Sequence, residues 1–422
     1  MKVFKFGGAS ISTIERVQHI PQILRMNPEE KILIVISAMG KTTNALEKVV
    51  EAFYSGNQSQ ALLLFESIKK SHLNLLKYTI TQQWQKATDS LQDLFTEVEW
   101  LLHDQPVKPY NYYYDQIVCV GELLSSTIMS FYLNEEKLGN QWLDVRDVLR
   151  TDSHFREASL DWEVTTRLVH ERVAPLFEKT NLVITQGFIA CTDDNESTNL
   201  GREGSDFSAA IFANLLNAKD ATIWKDVDGV MNADPKDFAE AERIPELSYG
   251  EVIEMAYYGA QVIHPKTIKP LQNKHIPLLV KSFLDPEGPG TLITSSMKGK
   301  LPPVVVYKHR QVLLTLDSKD FSFVEGPLSK YLNEVLESLR IKPNLTQNTA
   351  IRLFVCIDED TQKIEAAAQA LDRVFEVQVE RGLTLLTIRH YTGVFLEKLT
   401  AQKIMVLQQK TQETIQTLMR ES

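Results

Sequence analysis

Residues 1–37 read MKVFKFGGASISTIERVQHIPQILRMNPEEKILIVIS, and the order of patterns within them decides the fold class. Val3 to Phe6 is a short strand, Gly7-Gly8 a turn, and Ile14, Val17, Ile20 and Leu24 recur at helical spacing. Lys31 to Ser37 then returns as a fully apolar strand. A strand that is apolar on both faces must be covered on both faces. Strand, helix and apolar strand in this order therefore predict a parallel βαβ unit.

Working outward, residues about 42–104 are expected to be mostly helical. YNYYYDQIVCVGELLSSTIMSFYL at 110–133 continues as one long helix, with Ile117, Val120, Leu124, Ile128 and Phe131 along one stripe. Strand-like runs follow at Gln141–Val145, Asn181–Thr185 and Ala221–Lys225, with a helix over Ser208–Leu216 between the last two. The first three hundred or so residues read as one large α/β domain with a parallel-rich sheet between helices. At Met297-Lys298-Gly299-Lys300-Leu301-Pro302-Pro303 the text turns small, basic and proline-rich, as a linker does. Beyond it, Val312–Leu316, Ile351–Ile357 and Val374–Val379 read as strands, and Leu328–Leu339 and Lys363–Leu371 as helices. QVLLTLD at 311–317 is echoed by LTLLTIR at 383–389, each followed by helical text, so two weakly related βαββ-like units are the simplest account.

The chain has 422 residues, 43% hydrophobic and 24% charged, which suits two or three packed domains and leaves no compositional case for disorder. A net charge of −10 argues against nucleic acid or an anionic membrane as the main partner. Cys119, Cys191 and Cys356 are far apart in apolar text, which fits neither a disulfide framework nor a zinc cluster and suits a reducing cytoplasm. No signal peptide and no apolar run long enough to span a bilayer are read, so a non-exported, cytoplasmic protein is expected.

Three polar, glycine-bearing segments each follow a strand. Lys5-Phe6-Gly7-Gly8-Ala9-Ser10 leads into the first helix, where close backbone approach and free N–H groups favour an anion, and Lys5 adds a full positive charge. It is not a Walker loop. Leu200-Gly201-Arg202-Glu203-Gly204-Ser205-Asp206 opens a second helix, and Trp224-Lys225-Asp226-Val227-Asp228-Gly229-Val230 ends another strand. In an open α/β sheet ligands collect at strand C-termini, so these segments are expected to converge on a phosphate-handling site.

With these residues in view, the chain resembles the aspartokinases of the amino-acid-kinase superfamily. The resemblance rests on KFGGAS at 5–10, SAMGKTTN at 37–44, VGELLSS at 120–126, LGREGSD at 200–206, WKDVDGVMNADP at 224–235, and EMAYYGAQVIHPKTI at 254–268 followed by GTLI. It implies ATP-dependent phosphorylation of the side-chain carboxylate of L-aspartate, with ATP and Mg²⁺ as cofactors and the metal carried on the ATP phosphates. The product is 4-phospho-L-aspartate, the first step towards lysine, threonine and methionine. The alternatives are another carboxylate kinase of the superfamily, acting on glutamate or acetylglutamate, and a catalytically silent amino-acid sensor.

Carried over residue by residue, the resemblance implies that Lys5, Gly7, Gly8 and Ser10 hold the ATP phosphates and that Asp206 orients Lys5. Thr43, Glu122, Arg202 and Ser205 match the amino-acid pocket, Arg202 gripping the α-carboxylate and Glu122 taking the α-ammonium. Lys225, Asp226, Met231, Lys236 and Gln261 match the nucleotide edge. Met231 replaces a tyrosine found in some relatives, Lys236 stands where many have arginine, Gln261 where certain bacterial members have lysine, and Glu203 where many have glycine. The paired C-terminal units resemble ACT domains of βαββαβ form, which implies a homodimer. The expected boundaries are 1–297 for the kinase domain, 303–380 for the first ACT-like unit and 381–422 for a truncated second one, too short for its last strand pair and helix.

Three other signals are read as structural. His264-Pro265 is a turn before the helix Lys266–Leu271, because a reaction whose nucleophile is already ionised needs no catalytic base. Asp193-Asp194-Asn195-Glu196 lacks calcium-loop spacing, and the tyrosines at 110 and 112–114 adjoin an apolar stripe and are expected to pack a helix.

Overall fold

The structure, a computed structural model, describes residues 1–260, 263–297 and 299–421. It divides into two units: Met1–Val230 with Pro245–Ile253 and Val262–Lys298, and Met231–Ile244 with Glu254–Gln261 and Gly299–Ser422.

In the first unit the opening βαβ forms as the pattern predicts. β1 (Lys2–Phe6) and β2 (Ile32–Ile36) pair in parallel around α1 (Ile14–Arg25), and β2 is buried at every position. Four further parallel strands are β3 (Asn140–Trp142), β4 (Leu182–Gln186), β7 (Ala221–Lys225) and β9 (Leu278–Ser282). A separate hairpin, β5 (Ile189–Cys191) with β6 (Ser197–Asn199), stands beside them, and β8 (Glu246–Ser248) and β10 (Thr291–Thr294) complete the edge. The eight-stranded order is β3-β4-β2-β1-β7-β9-β10-β8, and among the described residues only β9–β10 is antiparallel. β1, β2, β4 and β7 therefore end together, which places Lys5, Ser37, Gln186 and Lys225 along one edge.

Helices cover the sheet: α2 (Thr42–Tyr54), α3 (Gln58–Thr79), α4 (Trp84–His103), α5 (Tyr110–Val118), α6 (Val120–Glu135), α7 (Trp162–Leu168), α8 (Gly204–Leu215), α9 (Tyr249–Tyr258) and α10 (Pro265–Asn273). The long helix expected at 110–133 is broken by a turn at Cys119. The reading that no run is long enough to span a bilayer needs correction. Tyr110–Glu135 passes by length and composition, but it is a core helix pair, 89% of its most apolar window being buried within the fold. Its apolarity reflects neighbours on all sides. Two other expectations shift by a few residues: β3 is shorter than Gln141–Val145, and α8 begins at Gly204.

In the second unit one antiparallel sheet holds β11 (Val304–Ser318), β12 (Leu345–Asn348), β13 (Arg352–Asp358), β14 (Phe375–Arg389), β15 (Lys403–Lys410) and β16 (Thr414–Glu421), ordered β12-β13-β11-β14-β16-β15. β11 and β14 run through both halves, with register shifts near Lys308, Gln311 and Leu313. The echoed segments 311–317 and 383–389 fall in these two strands, one in each half. The expected boundary at 380/381 therefore lies inside a continuous strand. α11 (Pro327–Ser338) and α12 (Thr361–Leu371) pack their apolar faces on Val312, Leu314, Leu316, Val355 and Ile357.

The second half was expected to lack its last strand pair, and here the structure differs. β15 and β16 pair beside β14, and Val304–Lys308, from before the first half, supplies the remaining strand by pairing with Leu385–Arg389. α13 (Gly393–Thr400) covers this half together with Phe238 and Ala241, whose rings and methyls join Val305, Leu386, Ile388 and Ile415. Burial of that sheet face is thus completed from elsewhere in the chain, which a linear count of C-terminal residues cannot reveal.

Candidate active site

A cleft of about 490 Å³ opens at the strand C-termini of the first unit, lined among others by Lys5, Gly8, Thr43, Glu122, Arg202, Ser205, Asp206 and Lys225. Three turns carry these groups. Gly7 precedes a short 3₁₀ turn, Gly8–Ile11, that leads into α1. Gly8 is required there by close approach, since a Cβ would lie 2.7 Å from the Ala38 carbonyl oxygen and 3.1 Å from that of Gly40. The first and second strand ends are thereby pressed together.

Lys5 and Asp206 are 8% and 3% exposed, and Lys5 Nζ lies 2.7 Å from Asp206 Oδ1 as an ion pair rather than a well-directed hydrogen bond. Lys225 Nζ stands 3.8 Å from Oδ2 of the same carboxylate. Burial pushes the Asp206 carboxyl up, but the two ammonium charges outweigh it and hold the group below its ordinary value. One carboxylate between two lysines leaves a net positive cluster at the ends of β1 and β7, suited to a phosphoryl group.

Glu122, on the first turn of α6, is 3% exposed. Its Oε1 accepts the Ala38 N–H at 3.2 Å, and its Oε2 has no partner within the protein. Burial raises its pKa to about 8, against lowering by the backbone N–H groups of Ala38 and Glu122 and the charge of Lys5. Ser125, one turn on, donates to the Ser37 carbonyl at 2.6 Å and ties α6 to the end of β2.

Glu203, just before α8, has φ +52°, a left-handed conformation that favours glycine, so the glutamate here is held against its backbone preference. Its carboxylate accepts the His264 N–H at 3.0 Å, and His264 Nδ1 in turn accepts the Lys266 N–H at the start of α10. The reading of His264 as a structural turn agrees with this. Asp193 and Asp194 lie in the exposed β5–β6 turn, and Glu196 pairs with Lys108.

Not every expected residue lines the cleft. Ser10 is buried, its hydroxyl donating to the Trp224 carbonyl at 3.3 Å, and Gly7 lies in the turn above. Asp226 is exposed in the bend after β7. Met231 and Lys236 belong to the second unit, Met231 bridging to Arg243 and Lys236 sitting in a turn capped by Asp234. Gln261 lies outside the described residues.

Sequence reasoning missed Tyr114, Arg156, Phe188 and Asn199, which also line the cleft. Tyr114 does pack α5, as expected for the cluster, yet its hydroxyl reaches Glu47 at 2.7 Å. The available signal lies in backbone shape, since Arg156 and Phe188 have φ of +74° and +69°. No sequence pattern announces such positions when glycine is absent.

Comparisons with known proteins show the family. Residues 1–282 match the family described as the amino acid kinase family. The chain is 30% identical over 396 residues to lysine-sensitive aspartokinase 3 of Escherichia coli, covering 92% of this chain and 86% of that protein. It is 33% identical over 295 residues to a maize bifunctional aspartokinase/homoserine dehydrogenase 1, of which it spans 32% of the length. Among solved structures it superposes on E. coli aspartokinase III with lysine and aspartate at a TM-score of 0.83 and 26% identity, covering 99% of this chain and 95% of that one. It also superposes on the same enzyme with aspartate and ADP at 0.80 and 27%, covering 100% and 96%. The chain belongs to the amino acid kinase family and, within it, to the aspartokinases.

Proposed function

We propose that this chain transfers the γ-phosphoryl group of ATP to the side-chain carboxylate of L-aspartate, forming 4-phospho-L-aspartate for lysine, threonine and methionine synthesis. The observation that carries this reading to an amino acid is Glu122, a buried carboxylate with one oxygen unpartnered in the cleft. An α-ammonium group would both donate to it and balance its charge, whereas the neutral amide N–H of an N-acetylated substrate brings no charge. The solved relatives with aspartate, and with aspartate and ADP, support the substrate pair.

The chemistry asks little of the protein beyond placement. A side-chain carboxylate has a reference pKa of about 4, so the nucleophile is already ionised at neutral pH. Lys5 and Lys225 put positive charge at the transferring group, Asp206 holds Lys5 in place, and the Gly7-Gly8 turn brings backbone N–H groups close. Among the described residues no cluster of three or more His, Cys, Asp or Glu side chains is placed to hold a metal. Mg²⁺ is read as carried on the ATP phosphates, where it would supply further positive charge. Thr43 and Ser205 line the amino-acid end, and Asp226, Met231, Lys236 and Gln261 remain our reading of the nucleotide edge by resemblance alone.

A hydroxamate assay tests the whole reading, because hydroxylamine traps an acyl phosphate. Product is expected with ATP, Mg²⁺ and L-aspartate, and not with glutamate or N-acetylglutamate. No product with aspartate would falsify the substrate assignment and favour the sensor. Arg202→Lys is expected to raise KM for aspartate about tenfold or more while leaving KM for ATP unchanged, since one ammonium does not reproduce a planar bidentate grip. An equal loss for ATP moves Arg202 out of the amino-acid end.

We read residues 1–297 as the kinase domain and 303–380 and 381–422 as ACT-like units that share β11 and β14 and form a homodimer. The three thiols are free and buried, in keeping with a reducing cytoplasm. The strand–helix turn of the first unit, where effectors bind such domains, exposes Phe321 and Phe323 and carries Pro327 at the helix start. Asp320 Oδ1 there already accepts the Ser318 hydroxyl at 2.8 Å and the Ser322 N–H at 3.0 Å. Weak or absent feedback is therefore expected. Titration of activity with lysine and threonine checks it, and half-inhibition below about 1 mM, an ordinary affinity of only about 4 kcal/mol, that Asp320→Ala abolishes overturns it.

A further inference from the structure

Two arginines line the cleft, but the proposed chemistry uses only Arg202. The other, Arg156, sits in a left-handed turn at φ +74°, where a side chain is rarely tolerated. Asp115 holds that turn. Its two oxygens accept the Arg156 N–H at 3.1 and 3.0 Å, and they also accept the backbone and side-chain N–H groups of Asn199. Asp115 is fully buried on α5, so the turn is anchored from the core.

The guanidinium is oriented by an aromatic ring. It lies over the Tyr114 ring, 4.3 Å from its centroid, and the Tyr114 hydroxyl is fixed by Glu47. The turn also abuts the loop that carries Arg202. A Cβ on Gly201 would meet Glu157 Cγ at 3.2 Å and the Arg156 carbonyl oxygen at 3.5 Å, and the Asn199 side chain accepts the Gly201 N–H at 2.9 Å. Two exposed arginines on adjoining segments thus line one cleft in a protein of net charge −10, and among the described residues neither forms an ion pair.

We propose that Arg156 is a second carboxylate-binding residue of this cleft, acting with Arg202 on the α-carboxylate of the amino-acid substrate; this rests on the aspartate reading above. An anion between the two guanidinium groups relieves their mutual repulsion, and a planar fork stacked on an aromatic face is already oriented for it. Asp115 is its positioning residue.

The test pairs Arg156→Gln and Arg156→Gly with two substrates, L-aspartate and its α-amide, which keeps the ammonium and side-chain carboxylate but loses the α-carboxylate charge. Glycine suits φ +74°, so Arg156→Gly keeps the turn unstrained and separates lost binding from lost folding. Both variants are expected to raise KM for aspartate about tenfold, to leave KM for ATP within about twofold, and to lower the kcat/KM preference for aspartate over the α-amide about tenfold. An undiminished preference in Arg156→Gly overturns the proposal, whatever its KM. If the wild-type protein forms no hydroxamate with aspartate, the substrate reading fails by itself. Calorimetric titration of L-aspartate then decides about Arg156: weaker binding to Arg156→Gly than to wild type supports it, and equal binding overturns it.

Discussion

Lys5→Ala is expected to lower kcat by about 100-fold or more while changing KM for aspartate little, because in the proposed reaction its charge acts on the phosphoryl group in flight and not on the resting amino acid. Loss of the ammonium also strands Asp206, which is 3% exposed and would keep only Lys225 at 3.8 Å. The sign of the stability effect follows from the Asp206 pKa, held below its ordinary 3.8 by Lys5 and Lys225 against burial. A carboxyl with a depressed folded pKa contributes stability above its unfolded pKa and loses it as pH falls through the folded one. In Lys5→Ala, burial prevails over the remaining lysine. The Tm deficit relative to wild type should then be small at pH 3 and larger at pH 7. Steady-state kinetics and melting curves at the two pH values check both parts, and a variant within threefold of wild type in kcat reduces Lys5 to packing.

Glu122→Gln is expected to act in the opposite sense on stability and almost as strongly on function. With its pKa near 8, the Glu122 carboxyl of the free protein is protonated at pH 7, whereas the unfolded chain would ionise near 4.5. Stability therefore falls as pH rises from about 4.5 towards about 8, and a neutral amide removes that loss. Glu122→Gln should match or exceed the wild-type Tm at pH 8. In the proposed reaction aspartate binding, by contrast, uses the carboxylate. KM for aspartate should rise by one to two orders of magnitude, roughly the 2–3 kcal/mol of a buried charge-assisted pair. In the wild type, kcat/KM for aspartate should climb with pH towards about 8, and that limb should vanish in Glu122→Gln. Binding at pH 7 should release close to one proton, read from calorimetry in buffers of different ionisation enthalpy. A more destabilised variant with an unchanged KM would make Glu122 a structural carboxylate.

Periodicity and local turn chemistry made much of this protein legible from sequence. The βαβ opening, the all-apolar β2, the helical stretch at 42–103 and the exact span of β7 are local patterns, because burial on one or both faces writes itself into residue spacing. The motifs holding Lys5, Glu122, Arg202 and Asp206 could also be quoted before any coordinates, and parallel strands that end on one edge explain why they meet. Other features rest on contacts between segments far apart in the chain. The fourth strand of the second C-terminal half comes from Val304–Lys308, some eighty residues upstream of its partner Leu385–Arg389. Tyr110–Glu135 is core rather than membrane-spanning because other helices surround it, and composition alone does not distinguish those environments. Arg156 carries no motif. Its place in the cleft depends on Asp115 forty-one residues away and on Tyr114 beneath its guanidinium. The sequence by itself determined the layers, the family and the motifs in which Lys5, Glu122, Arg202 and Asp206 stand. The tertiary structure alone decided which charges stand together unpaired, because charge, burial and left-handed backbone become coupled only when distant segments pack against one another.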